Sequence, residues 1–135
     1  MSSSTVLRAA TAALAILIII GPATPQSRPS GTTRTDLQRY DLSAPGREVL
    51  QARVDFAPGS SFPRHKHPGE EIIYVIEGTL EYELAGKGWV TLKKGDVLFV
   101  PDGGVHAARN RGTAPAAELA TYVLEKGKPL TEFVK

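Results

Sequence analysis

Leu50, Ala52, Val54 and Phe56 alternate strictly with Gln51, Arg53 and Asp55. Successive side chains of a strand point to opposite faces, so this pattern specifies a strand with one buried face. Pro58-Gly59 is expected to end it. The same period returns in "TLEYELA", where Leu80, Tyr82 and Leu84 alternate with Glu81 and Glu83. "EIIYVIE" is almost continuously apolar and β-branched, which predicts a strand covered on both faces. "WVTL", "VLFV", "VHAARN" and "ELATYVLE" read as further strands, separated by "GKG", "KKGD", Pro101 with Gly103-Gly104, and "RGTAP". "KPLTEFVK" reads as a tail. No stretch after residue 24 has helical periodicity. About eight strands, with turn signals every ~8–12 residues, predict an all-β sandwich or barrel.

The N-terminus is of a different kind. One positive charge, Arg8, precedes an apolar run from Ala9 to Ile20, and Gly21 and Ala23 stand like the small residues of a cleavage site. This is the layout of a signal peptide over residues 1–23. The run falls short of the ~20 residues that span a bilayer, although an uncleaved N-terminal anchor is the rival reading. Contact with a membrane is thus expected only through this leader, during export to the periplasm or outside. Residues 24–35, "TPQSRPSGTTRT", read as a flexible linker. One domain is left for residues 36–135. With 16 basic and 14 acidic side chains and no Lys/Arg cluster, nucleic acid is not an expected partner. The chain has no cysteine, so disulfides, thiolate ligands and a cysteine nucleophile are excluded. Any metal must be held by His and carboxylate.

"PRHKHPGEEIIYVIEG" supplies both. His65, His67 and Glu71 share odd parity with Ile73 and Val75, so an extended chain turns them to one face. Glu70 has the opposite parity, unless a bulge at Pro68-Gly69 shifts the register. The remaining histidine, His106, lies on a separate short strand. Three imidazoles and a carboxylate suit one divalent transition metal ion such as Mn, Fe, Co, Ni, Cu or Zn, and fit Ca or Mg poorly. By itself, an H-x-H in a strand is more often a surface or packing feature.

The wider pattern changes that balance. Gly59, His65, His67, Glu71 and Gly78 stand at the spacing of the first motif of the cupin superfamily, and Gly95, Pro101, Gly103, His106 and Asn110 at that of the second. The chain therefore resembles small single-domain bacterial cupins from Gly59 to Asn110. The resemblance implies a cupin jelly-roll β-barrel (a double-stranded β-helix) with a metal inside. It implies His65, His67, Glu71 and His106 as ligands, with positions left open for water, O2 or substrate. It also implies a homodimer through strand exchange or sheet-edge pairing, with residues 36–44 as the candidate swapped strand. Asn110 is expected to cap a turn.

Cupins with three histidines and a glutamate include dioxygenases, oxalate-decarboxylating enzymes, lyases, isomerases and sugar binders, and fold does not choose among them. Arg53, Arg109, Glu77, Glu81 and Glu83 fall on outward faces by parity. Tyr82 faces inward, as core or as a phenol offered to substrate. Trp89 is read at the barrel mouth or packed at an interface. With no inward charge evident beyond the ligand set, a small, partly apolar molecule is the expected substrate or ligand. Three readings stand: a metal-dependent oxygenase-type enzyme with Glu71 as ligand and base; a non-redox isomerase, lyase or decarboxylase; and a non-catalytic small-ligand or metal-binding module.

Overall fold

The alternating stretch Leu50–Phe56 lies within a 20-residue strand, β2 (Arg47–Lys66), in the computed structural model, which describes residues 29–135. The candidate signal peptide, residues 1–23, and residues 24–28 of the linker lie outside the described residues. Before β2 comes β1 (Ser30–Asp41); after it come β3 (Gly69–Glu77), β4 (Thr79–Leu84), β5 (Gly88–Lys93), β6 (Val97–Val100), β7 (His106–Arg109), β8 (Ala116–Glu125) and β9 (Glu132–Phe133). All pairings are antiparallel, in the order β5-β4-β7-β2-β8-β3-β6, with β1 and β9 added to β2. Strands distant in sequence lie side by side, β2 next to both β7 and β8, and the sheet curls into a jelly-roll β-barrel.

Alternation decides what fills it. Leu50, Ala52, Val54 and Phe56 point inward and are buried, as are Ile73, Val75, Leu80, Tyr82, Ala120 and Leu124 from the facing strands. Full burial of each large apolar side chain stabilises by ~1.5–3 kcal/mol, which is what holds strands so far apart in sequence together. Asn110 fastens the turn after β7, as its motif position suggested. Its side-chain amide donates to the carbonyls of Phe56 (3.1 Å) and Ala114 (2.8 Å), and its oxygen accepts from the Gly112 amide (2.9 Å).

Five expectations need correcting. Residues 30–35 are not linker: they begin β1, which pairs with β2 along Glu48–Ser61 of the same chain. Thr32, Thr33 and Thr35 are β-branched but exposed or nearly so. The strand is held by its backbone ladder and announces itself by no apolar alternation. Pro58-Gly59 does not end β2 but marks a corner: before it β2 pairs with β8, after it with β7. β3 is covered on one face only, since Ile72 and Tyr74 are exposed and pair with exposed Phe99 and Val97 on β6. The C-terminal tail is partly strand, because β9 pairs with His65 and Lys66. Trp89, on β5, sits half-exposed on the outer surface with the Arg109 guanidinium 3.7 Å from its ring centre, not at the mouth.

Candidate metal centre

His65 is at the end of β2, directly opposite His106 on β7. His67 follows in the bend before β3, and Glu71 is the third residue of that strand. The odd parity survives Pro68-Gly69, since residues 65, 67, 69, 71, 73 and 75 are all buried while Glu70 is not. The imidazole centres lie 4.1 Å (His65–His106), 4.8 Å (His65–His67) and 5.2 Å (His67–His106) apart. Each ring offers a nitrogen within 4.8 Å of the others', an arrangement that could hold a metal ion. Glu71 sits beside two of them, with Oε2 2.9 Å from His106 Nε2 and 3.3 Å from His67 Nε2.

The backbone decides which nitrogens face inward. Nδ1 of His65 lies 2.7 Å from the Pro63 carbonyl, Nδ1 of His67 2.6 Å from that of Leu130, and Nδ1 of His106 2.9 Å from that of Gly104. A carbonyl only accepts, so each Nδ1 carries the hydrogen and donates it. Nε2 is then the nitrogen that each ring turns inward, the one left to ligate a metal. His67 Nε2 and Glu71 Oε2 are buried with no hydrogen-bond partner. Buried polar atoms need a partner, and a cation lying among these would serve both. Burial, with His106 and His67 close by, holds the His65 imidazole neutral, its pKa lowered to about 3. Burial pushes the Glu71 carboxyl up, but His106 and His67 outweigh it and keep the group ionised. The donor set therefore fits a divalent transition metal.

These side chains line an interior cavity of about 80 Å³. One water needs only ~10–15 Å³ by this measure, so there is room for a molecule of several atoms. Val54, Phe56, Phe62 and Ala108 give it apolar walls, and His67 and Thr131 join it to a wider vestibule of about 460 Å³. Tyr82 lines it too, its ring stacked near His106 at 6.4 Å, and Tyr122 meets His67 edge-on at 4.9 Å. Arg109 and Glu81 pair with each other on the outer face at 2.6 Å, as parity indicated.

The expectation of no further inward charge is wrong. Glu118 on β8 is buried, lines the same cavity, and accepts a hydrogen bond from the Tyr82 hydroxyl. Its even parity with Ala120, Tyr122 and Leu124 was the available signal. Burial, then the Glu71 carboxylate, push its pKa up to about 8, with the Tyr82 hydrogen bond opposing. In the unfolded chain Glu118 ionises near ~4.3. Between there and pH 8 the folded state binds the extra proton, so rising pH erodes stability across that window. Glu118→Gln, which stays neutral, should melt higher than the unsubstituted chain at pH 8 in metal-free protein. The gap should close towards pH 4.5, as thermal melts at the two pH values would read. The carbonyl of Leu130 was also missed, because backbone groups carry no residue-type signal.

The Cupin domain family matches residues 52–122. Germin-like protein 1-1 of Oryza sativa subsp. japonica is 44% identical over 79 residues, covering 55% of this chain and 37% of that protein. The chain spans less than half the length of the curated relatives it matches. Among solved structures, one of oxalate oxidase superposes with a TM-score of 0.63 at 29% identity, covering 84% of this chain and 60% of the other. The polyketide cyclase RemF from Streptomyces resistomycificus superposes with a TM-score of 0.64 at 23% identity, over 82% and 77% of the two chains, a likeness of fold alone.

Proposed function

This chain belongs to the Cupin domain family, and on that premise we propose that it is a metal-dependent enzyme of oxygenase type acting on a small organic molecule. The observation that carries the reading is the gathering of three imidazoles in one place, two of them with Nε2 beside the Glu71 carboxylate, with every Nδ1 committed to a carbonyl. His65, His67, Glu71 and His106 are the proposed ligands of one divalent transition metal. When bound, such a metal supplies a Lewis acid with coordination positions open to an oxygen ligand. The chain's own residues do the rest. The carbonyls of Pro63, Leu130 and Gly104 fix the ring tautomers. Glu71, kept ionised, is both a ligand and a base that can take a proton at Oε2. Phe56, Phe62 and Val54 exclude water, which strengthens the electrostatics inside.

The oxygenase-type branch is supported by the similarity to oxalate oxidase. A second branch, non-redox lyase or isomerase chemistry, is favoured by one observation: Glu118, a second carboxyl, lines the cavity. An oxygen electrode separates them. Metal-loaded protein offered oxalate, then small hydroxy acids and phenols, is expected to consume O2 with at least one of them. Turnover without O2 uptake would move the assignment to the second branch. Metal-loaded protein that binds these compounds without converting any would reduce it to a binding module.

Export is proposed from the leader-like layout of residues 1–23. A homodimer is proposed from the exposed Ile72, Tyr74, Val97 and Phe99, which adjoin on β3 and β6 next to the edge of β6, unpaired among the described residues.

A further inference from the structure

Two carboxyls line the cavity beneath the vestibule, and the metal reading uses only one of them. Among the described residues the buried glutamates are Glu48, Glu71 and Glu118, and only Glu71 and Glu118 reach this cavity. Glu118 comes from β8, and Glu71 from the neighbouring strand β3, where it faces the imidazoles. Glu118 is fully enclosed, and its one recorded hydrogen-bond partner is the Tyr82 hydroxyl. Burying a carboxyl is costly, and an apolar side chain of like volume would fill the space without that penalty. Tyr82 orients the group and leaves it lining the cavity alongside Val54, Phe56 and Ala108.

We propose that Glu118 is a second catalytic group of this cavity, an acid–base carboxyl that exchanges a proton with a substrate lying between it and the imidazoles, and that this substrate is a small carbonyl compound with a hydrogen on the neighbouring carbon. The inference rests on the metal-dependent reading above and deepens it. A molecule that meets both groups in a cavity this size needs an oxygen for the imidazoles and a removable hydrogen a bond or two away. An α-hydroxycarbonyl compound has both. In the step, the C–H bond next to the carbonyl breaks and its proton passes to a Glu118 carboxylate oxygen. The electron pair moves into the carbonyl, leaving the enolate. Return of a proton from Glu118 to carbon restores the carboxylate and needs no co-reactant. A carboxyl lifted towards neutrality by burial exchanges protons in both directions near working pH. Tyr82, whose hydroxyl burial keeps protonated, is a positioning residue that acts through Glu118.

The test uses the full-length chain loaded with zinc, under nitrogen in D2O, with hydroxyacetone as the probe. Deuterium should appear at the carbon beside the carbonyl well above the rate without protein. Glu118→Gln should slow exchange by ~100-fold or more, with zinc content and melting temperature at or above those of the unsubstituted chain. Tyr82→Phe should keep exchange but shift its pH profile. A second readout needs no turnover: with 13C-carboxyl glutamate, the resonance that Glu118→Gln removes should move when hydroxyacetone is added. Exchange by Glu118→Gln at the unsubstituted rate overturns the proposal, and so does a carboxyl resonance that stays put. A zinc-loaded chain that exchanges nothing sinks the proposal alone. A chain that takes up no zinc sinks the metal reading and the proposal with it.

Discussion

The His106→Ala variant is expected to lose its metal. His106 is the one proposed ligand that β7 contributes, and the other three come from a single run, residues 65–71. Its imidazole is the closest of all to the carboxylate, at 2.9 Å from Glu71, and its ring lies 4.1 Å from that of His65. Truncation leaves two imidazoles and a carboxylate and removes the one donor that β7 supplies. Loss of groups that merely orient a ligand already lowers metal affinity ~10–100-fold, so loss of the ligand should exceed ~100-fold. Glu71→Gln should do less, because three Nε2 atoms remain and the amide oxygen still offers a lone pair. Plasma mass spectrometry after dialysis against a weak competing chelator gives the ratio of metal to chain for each protein. Equal occupancy in His106→Ala and the unsubstituted chain would overturn the ligand assignment. A melt of the metal-free variant separates metal loss from unfolding.

The four converging residues were legible in the sequence because two independent constraints agree on them. Parity turns His65, His67 and Glu71 to one face, and the glycine spacing of the two motifs brings His106 across to meet them. Both rules depend on residue type and interval, which a sequence states outright. What escaped depends on neighbours. Ile72 and Tyr74 are as apolar as Ile73 and Val75, so composition could not show that the first pair lies on an open outer face. Arg34 and Thr35 belong to a strand with hardly a buried side chain, and a backbone ladder leaves no mark on residue choice. Glu118 obeyed the parity rule, but a lone glutamate in an apolar strand reads as outward until Tyr82, 36 residues away, is seen to bind it. The tail escaped for the same reason as the Pro58-Gly59 corner: Leu130 matters through its carbonyl, and that corner through a change of pairing partner.

Gly69→Ala should be the most damaging substitution for the fold, although neither motif fixes that position. Gly69 stands between His67 and Glu71 with φ +151° and pairs with Leu124 on β8. A Cβ added there would lie 1.9 Å from the Val123 carbonyl oxygen, 2.9 Å from its carbon and 3.0 Å from the Leu124 Cα. All three obstacles are backbone, so no rotamer change relieves the clash. β8 would have to move, and it is held on its other edge by ten residue pairs to β2, from Arg47–Glu125 to Phe56–Ala116. Effects of ~4–5 kcal/mol are exceptional for a single substitution, yet this clash warrants one. Against a total stability of ~5–15 kcal/mol it leaves the variant largely unfolded or melting far below the unsubstituted chain. Gly86→Ala is the control, because Gly86 has φ +78° and nothing within 4 Å of the added Cβ. It carries only the ~1–2 kcal/mol of left-handed backbone strain. Thermal melts of the two variants side by side make the comparison. If Gly69→Ala melts no lower than Gly86→Ala, the β3–β8 packing is looser than the structure has it. A drop in Gly69→Ala alone places a close β3–β8 backbone approach between two of the proposed ligands. His67 and Glu71 would then owe their alignment to the close approach of β3 to β8 as much as to the motif that contains them.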